Sequence, residues 1–303
     1  MKGIDVILDC DPGIDDALAI ALALSKENLN VLAITTVIGN VDCEKTTRNA
    51  KLLLNLLQSD IPLAQGAKTP LVKAPLNASG VHGEDGFGNL SAELGSDDYP
   101  HFVDQHATLL MAQILEEAVE PITIIAVGPL TNVALLIKTF PHLTHKIKEI
   151  SIMGGGLGLG NRTSAAEFNI LVDPEAAHIV FNSGIPLIVA TLNATYQARL
   201  EKEDIDKFDF VSNDITKFIN RIMWRYGELD SALHDPVSVL AISNPELFET
   251  KEIKLNVETN EGATRGMTYE DHKGNQTGTR IITKLEREKI IDEIVKSFQH
   301  FND

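Results

Sequence analysis

The sequence is poor in cysteine, in basic residues and in long apolar runs. Only two of its 303 residues are cysteines, Cys10 and Cys43, which indicates reduced thiols and not a disulfide framework. Lysine and arginine number 26 against 43 acidic residues, a net charge of −17, so nucleic acid and anionic membranes are unfavourable partners. No apolar run approaches 18 residues and no signal-peptide pattern opens the chain, so we expect a cytoplasmic protein that does not enter a membrane.

Short apolar runs alternate with helical patterns over the first 190 residues. This alternation predicts an α/β fold, with a mostly parallel open sheet and helices on both faces. The predicted strands cover residues 4–8, 31–37, 122–127, 147–153 and 186–190, and the predicted helices cover 15–24, 43–57, 107–117, 130–138 and 174–182.

The last hundred residues change character and predict a small C-terminal β/α extension of this sheet. Helices are expected at 212–227, 236–241 and 286–301, and short strands at 252–259, 266–269 and 277–283. No linker, internal repeat or low-complexity tract interrupts the chain. Residues 1–303 are therefore predicted to form a single domain.

Four aspartates, Asp9, Asp11, Asp15 and Asp16, fall within eight residues between the first predicted strand and the first helix. One carboxylate there can simply cap the helix, and the others can be solvated surface groups. Four cannot all be caps, and two unit charges about 4 Å apart cost roughly 4 kcal/mol at an effective dielectric of 20. A bound cation is the simplest remedy. Carboxylate oxygens are hard ligands, which favours Ca²⁺ or Mg²⁺.

Polar residues recur just after several predicted strands, at the rim where open α/β sheets bind ligands. Asn40 follows the second strand, and Asn161, Glu167 and Asn169 follow the strand at 147–153. For any single asparagine a turn or helix cap is an equally good interpretation. Their repetition at successive strand ends favours a polyhydroxylated ligand such as a sugar, because amides and carboxylates form hydrogen bonds with hydroxyl groups.

Two histidines stand out, His82 in a long polar loop and His234 directly before Asp235. Asp235 can cap the helix that follows it or serve as a further carboxylate for the cation. The glycine-rich stretch at 154–161 contains no G-x-G-x-x-G, and Asn161 stands where a phosphate loop needs lysine. Zinc-ligand spacings and a G-x-S-x-G nucleophile motif are also missing from the sequence.

The motifs DCDPGIDDALAI, ITTVIGN, VHGEDG, VGPLTN, MGGG, AEFNI with DPEAA, and LHDP occur in this order along nearly the whole chain. In this the sequence resembles the nucleoside hydrolases, the inosine-uridine nucleoside N-ribohydrolases, and most closely their non-specific ribonucleoside hydrolase branch. The resemblance implies Ca²⁺-dependent hydrolysis of the N-glycosidic bond of purine or pyrimidine ribonucleosides to free base and ribose, in nucleoside salvage. It also implies a homodimer or homotetramer.

The resemblance also implies roles for individual residues. The metal ligands would be Asp11, Asp16, Asp235 and the backbone carbonyl of Val127. Asp15 would be the base that takes a proton from the attacking water, and His234 would donate a proton to the departing nucleobase. Ribose would be contacted by Asp15, Asn40, Met153, Asn161, Glu167 and Asn169. The nucleobase would be contacted by His82, Phe168 and His234.

Two departures leave questions open. Asn193 stands in the segment 192–195 where many relatives carry aspartate, and the segment 224–233 is divergent, so the preference for purine or pyrimidine is not predicted. A non-catalytic nucleoside or sugar binder on the same scaffold remains an alternative, although the intact Asp15 argues against it. A Mg²⁺ phosphatase with an aspartyl nucleophile is a weaker one, because no basic group accompanies the aspartates to hold phosphate.

Overall fold

The computed structural model describes residues 3–208, 213–273 and 278–302. Its strands are β1 (Ile4–Cys10), β2 (Leu29–Thr36), β3 (Leu63–Gln65), β4 (Phe102–Val103), β5 (Ile122–Ala126), β6 (Ile147–Met153), β7 (Leu187–Ala190), β8 (Phe248–Ile253), β9 (Leu255–Val257), β10 (Thr268–Glu270) and β11 (Thr279–Leu285). Residues 212 and 277, which begin a predicted helix and a predicted strand, lie outside the described residues.

The α-helices of the described chain fill the connections between these strands. They are α1 (Ile14–Ser25), α2 (Cys43–Leu56), α3 (Ser79–His82), α4 (Ala107–Glu117), α5 (Thr131–Thr139), α6 (Phe168–Val172), α7 (Pro174–Phe181), α8 (Leu192–Thr195), α9 (Lys202–Asp206), α10 (Asp214–Leu229), α11 (His234–Ser243) and α12 (Arg287–Gln299). In these ranges no helix is long and apolar enough to cross a membrane.

Nine of the described strands form one sheet in the order β4-β3-β2-β1-β5-β6-β7-β11-β8, and β9 pairs with β10 separately. Neighbouring strands are parallel from β4 to β11, and only the edge strand β8 runs antiparallel to its neighbour. This confirms the predicted mostly parallel α/β sheet. The C-terminal extension adds β11 and β8 to one edge of that sheet.

Helices cover both faces because successive side chains of the central strand point to opposite sides. Val6 and Leu8 of β1 pack into a core with α1, α10, α11 and α12, whereas Ile7 packs into a second core with α4, α5 and α7. Strands that are buried on both faces have continuous apolar sequences, which is why β1, β5 and β6 could be predicted from the sequence.

One predicted strand, 252–259, is two strands in different sheets: β8 belongs to the main sheet and β9 to the small antiparallel pair. Ile253, Leu255 and Val257 all face one core, so their alternation continues unbroken across the change of partner. A period of two in the sequence therefore does not reveal where the chain leaves the main sheet.

The order of the strands places a ligand site beside β1. After β1 the chain builds outward through β2, β3 and β4, and then returns to pair β5 with the other side of β1. Open α/β sheets bind ligands at such a switch point, outside the carboxyl ends of the strands. The aspartates that follow β1 lie at this position.

Candidate active site

A cavity opens at the carboxyl ends of β1, β2, β5 and β6, with a volume of about 690 Å³ counted out to its open mouth. It collects nearly all of the predicted site residues. Those that line it are Asp11, Asp15, Asn40, His82, Val127, Met153, Asn161, Glu167, Phe168, Asn169, His234 and Asp235. The remaining one, Asp16, lies buried beside Asp15 and Asp235.

Buried carboxylates form the floor of the cavity. Oxygen atoms of Asp15, Asp16 and Asp235 all lie within 4.8 Å of one another. Burial, then the charge of Asp15, raises the pKa of Asp16 to about 7. Burial and the charges of Asp15 and Asp16 hold the pKa of Asp235 well above its usual range. Burial and the charge of Asp16 do the same for the pKa of Asp11. The floor is therefore strongly repulsive without a counter-charge.

Asp16 and Asp11 are held rigidly by backbone groups. Asp16 accepts the N–H groups of Asp11 and Gly13, each at 2.9 Å, and so caps α1. Asp11 Oδ2 accepts the N–H of Asn40 at 2.7 Å. Gly39 packs so closely that a Cβ there would lie 2.0 Å from this same oxygen. Helix capping thus accounts for Asp16 but not for the other carboxylates.

Asp9 Oδ2 is buried without a hydrogen-bond partner but lies outside the cavity. Among the described carboxylates that line the cavity, the one with such an oxygen is Asp15. Its Oδ2 accepts a hydrogen bond from the Tyr226 hydroxyl at 3.3 Å. Its Oδ1 is buried and has no hydrogen-bond partner among the described residues. A buried carboxylate oxygen without a partner is costly and indicates a missing ligand, either a cation or a polarised hydroxyl.

These donors suit a hard divalent cation, because all are carboxylate or carbonyl oxygens. Val127 also lines the cavity, and its carbonyl accepts the Nδ2–H of Asn169 at 2.8 Å, which leaves the second lone pair of that oxygen available. Asp9 does not share this position. It is fully buried, accepts hydrogen bonds from Thr35 (2.6 Å) and Asn132 (2.8 Å), and has a pKa that burial raises to about 7.

One wall of the cavity carries amide and carboxylate groups fixed by α6. Glu167 caps that helix, accepting the N–H groups of Asn169 (2.9 Å) and Ile170 (3.1 Å), and burial raises its pKa. Asn161 Oδ1 accepts the N–H of Phe168 at 3.0 Å. With Asn40, these side chains offer the mixture of donors and acceptors that sugar hydroxyls need.

Two buried histidines also line the cavity. His82 Nδ1 accepts the N–H of Ile14 at 3.2 Å, so the neutral ring carries its proton on Nε2, and burial lowers its pKa. His234 contacts Thr195 Oγ1 through Nδ1 (2.8 Å) and Asp230 Oδ2 through Nε2 (3.2 Å). Burial opposes protonation of His234, but the hydrogen bond and charge of Asp230 outweigh it and raise the pKa.

Sequence reasoning missed three polar residues that line the cavity: Arg162, Tyr226 and Asp230. Tyr226 belongs to an amphipathic helix pattern, where an aromatic residue indicates core. The available signal was position, since Tyr226 and Asp230 both fall in the divergent segment 224–233. Asn193 lies outside the cavity, where it accepts from the Leu157 N–H (2.8 Å) and donates to the Leu157 carbonyl (3.1 Å). An aspartate cannot make the second bond.

A buried acidic cluster that could hold a cation lies beneath an amide-lined wall at the switch point of a parallel sheet, an arrangement that suits a ligand containing a sugar. The family model described as inosine-uridine preferring nucleoside hydrolase matches residues 6–292. The chain belongs to this family, and it is a ribonucleoside hydrolase, a glycosidase that acts on N-glycosyl bonds. The family and enzyme class predicted from the sequence are confirmed.

Individual relatives agree over nearly their full lengths. The chain is 41% identical over 311 residues, 98% of each chain, to the pyrimidine-specific ribonucleoside hydrolase RihA of Escherichia coli O7:K1 (strain IAI39 / ExPEC). It is 43% identical over 302 residues to RihA of Shigella flexneri serotype 5b (strain 8401), covering 95% of this chain and 96% of that relative.

Solved structures of related enzymes share the fold. The plant nucleoside hydrolase PpNRh1 superimposes with a TM-score of 0.89 at 32% identity, covering 97% of this chain and 98% of that one. A purine-preferring ribonucleoside hydrolase from Gardnerella vaginalis superimposes with a TM-score of 0.90 at 27% identity, over 98% and 99% of the two chains.

Proposed function

We propose that this enzyme hydrolyses ribonucleosides to free base and ribose with Ca²⁺, in cytoplasmic nucleoside salvage, and that it prefers pyrimidine nucleosides. The observation that carries the proposal is the unpartnered Oδ1 of Asp15 beside the carboxylates of Asp16 and Asp235. The pyrimidine preference rests on the names of the relatives at 41% and 43% identity, since the purine-preferring enzyme is only 27% identical.

In this proposal Asp11, Asp16, Asp235 and the Val127 carbonyl hold the ion. When bound, Ca²⁺ supplies positive charge that orients and acidifies a water molecule and grips the ribose diol. Ca²⁺ suits the site better than Mg²⁺ because a mixed carboxylate and carbonyl cage with flexible geometry is typical of calcium.

The protein's own groups then carry the proton transfers. Asp15 takes a proton from the attacking water as the water oxygen bonds to C1′. The bond from C1′ to the base nitrogen breaks, its electron pair leaves with the base, and His234 supplies a proton to that base. Surrounding carboxylates stabilise the oxocarbenium-like charge that develops on the sugar.

Two groups of cavity-lining side chains would position the substrate. Asn40, Met153, Asn161, Glu167 and Asn169 would hold the ribose, together with Asp15. His82, with a proton on Nε2, Phe168 and His234 would contact the base. We also propose that residues 1–303 form a single domain and that the enzyme assembles as a homodimer or homotetramer; the unbroken sheet from β4 to β8 supports the first of these.

A turnover panel over uridine, cytidine, inosine and adenosine tests the proposal. We expect the protein to release reducing sugar, fastest from uridine and cytidine. Chelator should abolish this activity, and added Ca²⁺ should restore it. If calcium-loaded protein released no ribose from any of the four, the proposal would be wrong. A stable 1:1 complex with unchanged nucleoside in calorimetry would then favour the non-catalytic binder.

The deoxyribose analogue should be a very poor substrate. A site built to bind a substrate hydroxyl through a metal ion leaves that ion unpaired when the hydroxyl is missing, which costs about 10⁴-fold in kcat/KM. We expect 2′-deoxyuridine to lose about this factor relative to uridine in a direct comparison of initial rates. Turnover of the two nucleosides within tenfold of each other would show that the 2′-hydroxyl is not held by the ion.

A further inference from the structure

Helix α10 and the residue that follows it place two polar side chains against the two groups that transfer protons in the proposed mechanism. The Tyr226 hydroxyl lies 3.3 Å from Asp15 Oδ2, and Asp230 Oδ2 lies 3.2 Å from His234 Nε2. Tyr226 lies in the last turn of α10 and Asp230 follows the end of that helix, and both residues line the cavity.

Tyr226 distinguishes the two oxygens of Asp15. The tyrosine is fully buried, and burial with the charge of Asp15 holds its pKa well above the usual range, so its hydroxyl remains a donor. It occupies Oδ2, whereas Oδ1 has no partner in the described chain. His82 Nδ1, 3.8 Å from Oδ1, already accepts the Ile14 N–H and so cannot donate there when neutral. One oxygen is thus anchored and the other is open.

Asp230 fixes the ring of His234. A carboxylate only accepts hydrogen bonds, so His234 Nε2 carries a proton, and Thr195 holds the other ring nitrogen at 2.8 Å. The Tyr196 ring packs edge-on against the imidazole, with ring centroids 5.7 Å apart. Asp230 is itself anchored, because its Oδ1 accepts the N–H of Ala232 at 3.2 Å. Asp230 and Thr195 together therefore fix the imidazole ring, with the Nε2 proton on the side where Asp230 lines the cavity.

We propose that Tyr226 and Asp230 are positioning residues, Tyr226 for the base that activates water and Asp230 for the acid that protonates the leaving nucleobase. The last turn of α10 and the residue that follows it would thus align both halves of the reaction. The inference rests on the proposed function, since it requires Asp15 and His234 to act as described there.

The test compares uridine with p-nitrophenyl β-D-ribofuranoside. The uracil anion is more basic than p-nitrophenolate, so uracil leaves faster when it receives a proton, whereas p-nitrophenolate leaves readily without one. The second substrate should therefore depend little on His234. Losing a hydrogen bond to a charged group typically costs about tenfold to a hundredfold. We expect Tyr226→Phe to lower kcat by about this factor on both substrates. Asp230→Asn should lower kcat similarly on uridine but leave it within about twofold on the nitrophenyl riboside.

Reference variants make the pattern interpretable. His234→Ala should show the same substrate dependence as Asp230→Asn, with a larger loss, and Asp230→Glu should recover part of the rate on uridine. Tyr99→Phe is the matched control for a lost tyrosine hydroxyl, because Tyr99 donates to the carbonyl of Ile61 (2.7 Å) and does not line the cavity. Its kcat should equal that of the wild type.

Several outcomes would overturn the inference while leaving the proposed function intact. A loss in Tyr226→Phe that differs among uridine, cytidine and inosine, or that lies in KM alone, would make Tyr226 a nucleobase contact. An equal loss on both substrates in Asp230→Asn would make Asp230 a structural residue. Thermal midpoints and calcium titrations of each variant separate misfolding from these results. Wild-type protein inactive on both substrates would instead overturn the proposed function.

Discussion

Asp235→Asn is expected to abolish turnover and, in the presence of chelator, to make the protein more stable. Oxygen atoms of Asp235, Asp15 and Asp16 lie within 4.8 Å of one another in a buried site. Asparagine keeps the shape and removes one charge. The same change that relieves repulsion in the ion-free protein also removes a ligand from the proposed ion.

The sizes of the two effects follow from electrostatics. Loss of a ligand that places the catalytic ion should lower kcat by roughly 10³-fold or more, since several kcal/mol of charge stabilisation depend on it. Removing one repelling charge at this separation should raise the free energy of unfolding by about 1–3 kcal/mol at an effective dielectric near 20. Thermal unfolding with EDTA and with Ca²⁺ measures both: Ca²⁺ should stabilise the wild type much more than the variant.

Asp173→Asn is the matched control for this experiment. Asp173 is a buried carboxylate outside the cluster, and it accepts hydrogen bonds from Leu71 (2.9 Å), Thr131 (2.7 Å) and Ala176 (3.0 Å). Asparagine there loses an acceptor, so this variant should be destabilised and should keep its response to Ca²⁺. An Asp235→Asn protein that is less stable than the wild type in EDTA, or that retains full activity, would contradict the proposed ion site.

Asp15→Asn is expected to lower kcat by about 10²–10⁴-fold at saturating Ca²⁺, the usual contribution of one proton-transfer residue. The amide cannot take a proton from water, although it can still accept the Tyr226 hydrogen bond at 3.3 Å. Binding of nucleoside should survive. Single-turnover kinetics with uridine, together with calorimetry on the same protein, should therefore show a 1:1 complex that converts very slowly.

The calcium concentration decides how this second result is interpreted. Asp15 is close to the other acidic oxygens, so its substitution also weakens the field at the ion. If raising Ca²⁺ restored the wild-type kcat, Asp15 would be a ligand and not the base. If kcat were unchanged at every Ca²⁺ concentration, neither role would stand and the attacking water would need another base.

Most of the fold was predictable because the strands near the centre of the sheet are buried on both faces. The predicted strand at 147–153 and helix at 107–117 coincide with β6 and α4. The short strands β3 and β4, three and two residues long, were missed, since so few residues carry no detectable period. They are strands because β2 offers an edge to pair with.

The site was predictable where its residues fall in recognisable motifs, and not where they come from the divergent segment 224–233. Asp11, Asn40 and Val127 are found at the ends of β1, β2 and β5, as the parallel sheet requires. Tyr226 arrives from α10, more than 200 residues along the chain, and nothing in an amphipathic pattern separates a core tyrosine from one that reaches a carboxylate. Asp9 is the opposite case, because it belongs to the aspartate cluster in the sequence but does not line the cavity and instead accepts a hydrogen bond from Thr35.

The tight fit of Gly39 against Asp11 limits how this enzyme can be redesigned. Any side chain at position 39 would collide with a carboxylate whose direction is already fixed by the neighbouring Asn40 amide. Laboratory evolution of new base preferences must therefore treat residue 39 as invariant. Diversity is better introduced at cavity-lining positions that make no contact with the acidic floor, such as Ala78, Val81 and Arg162.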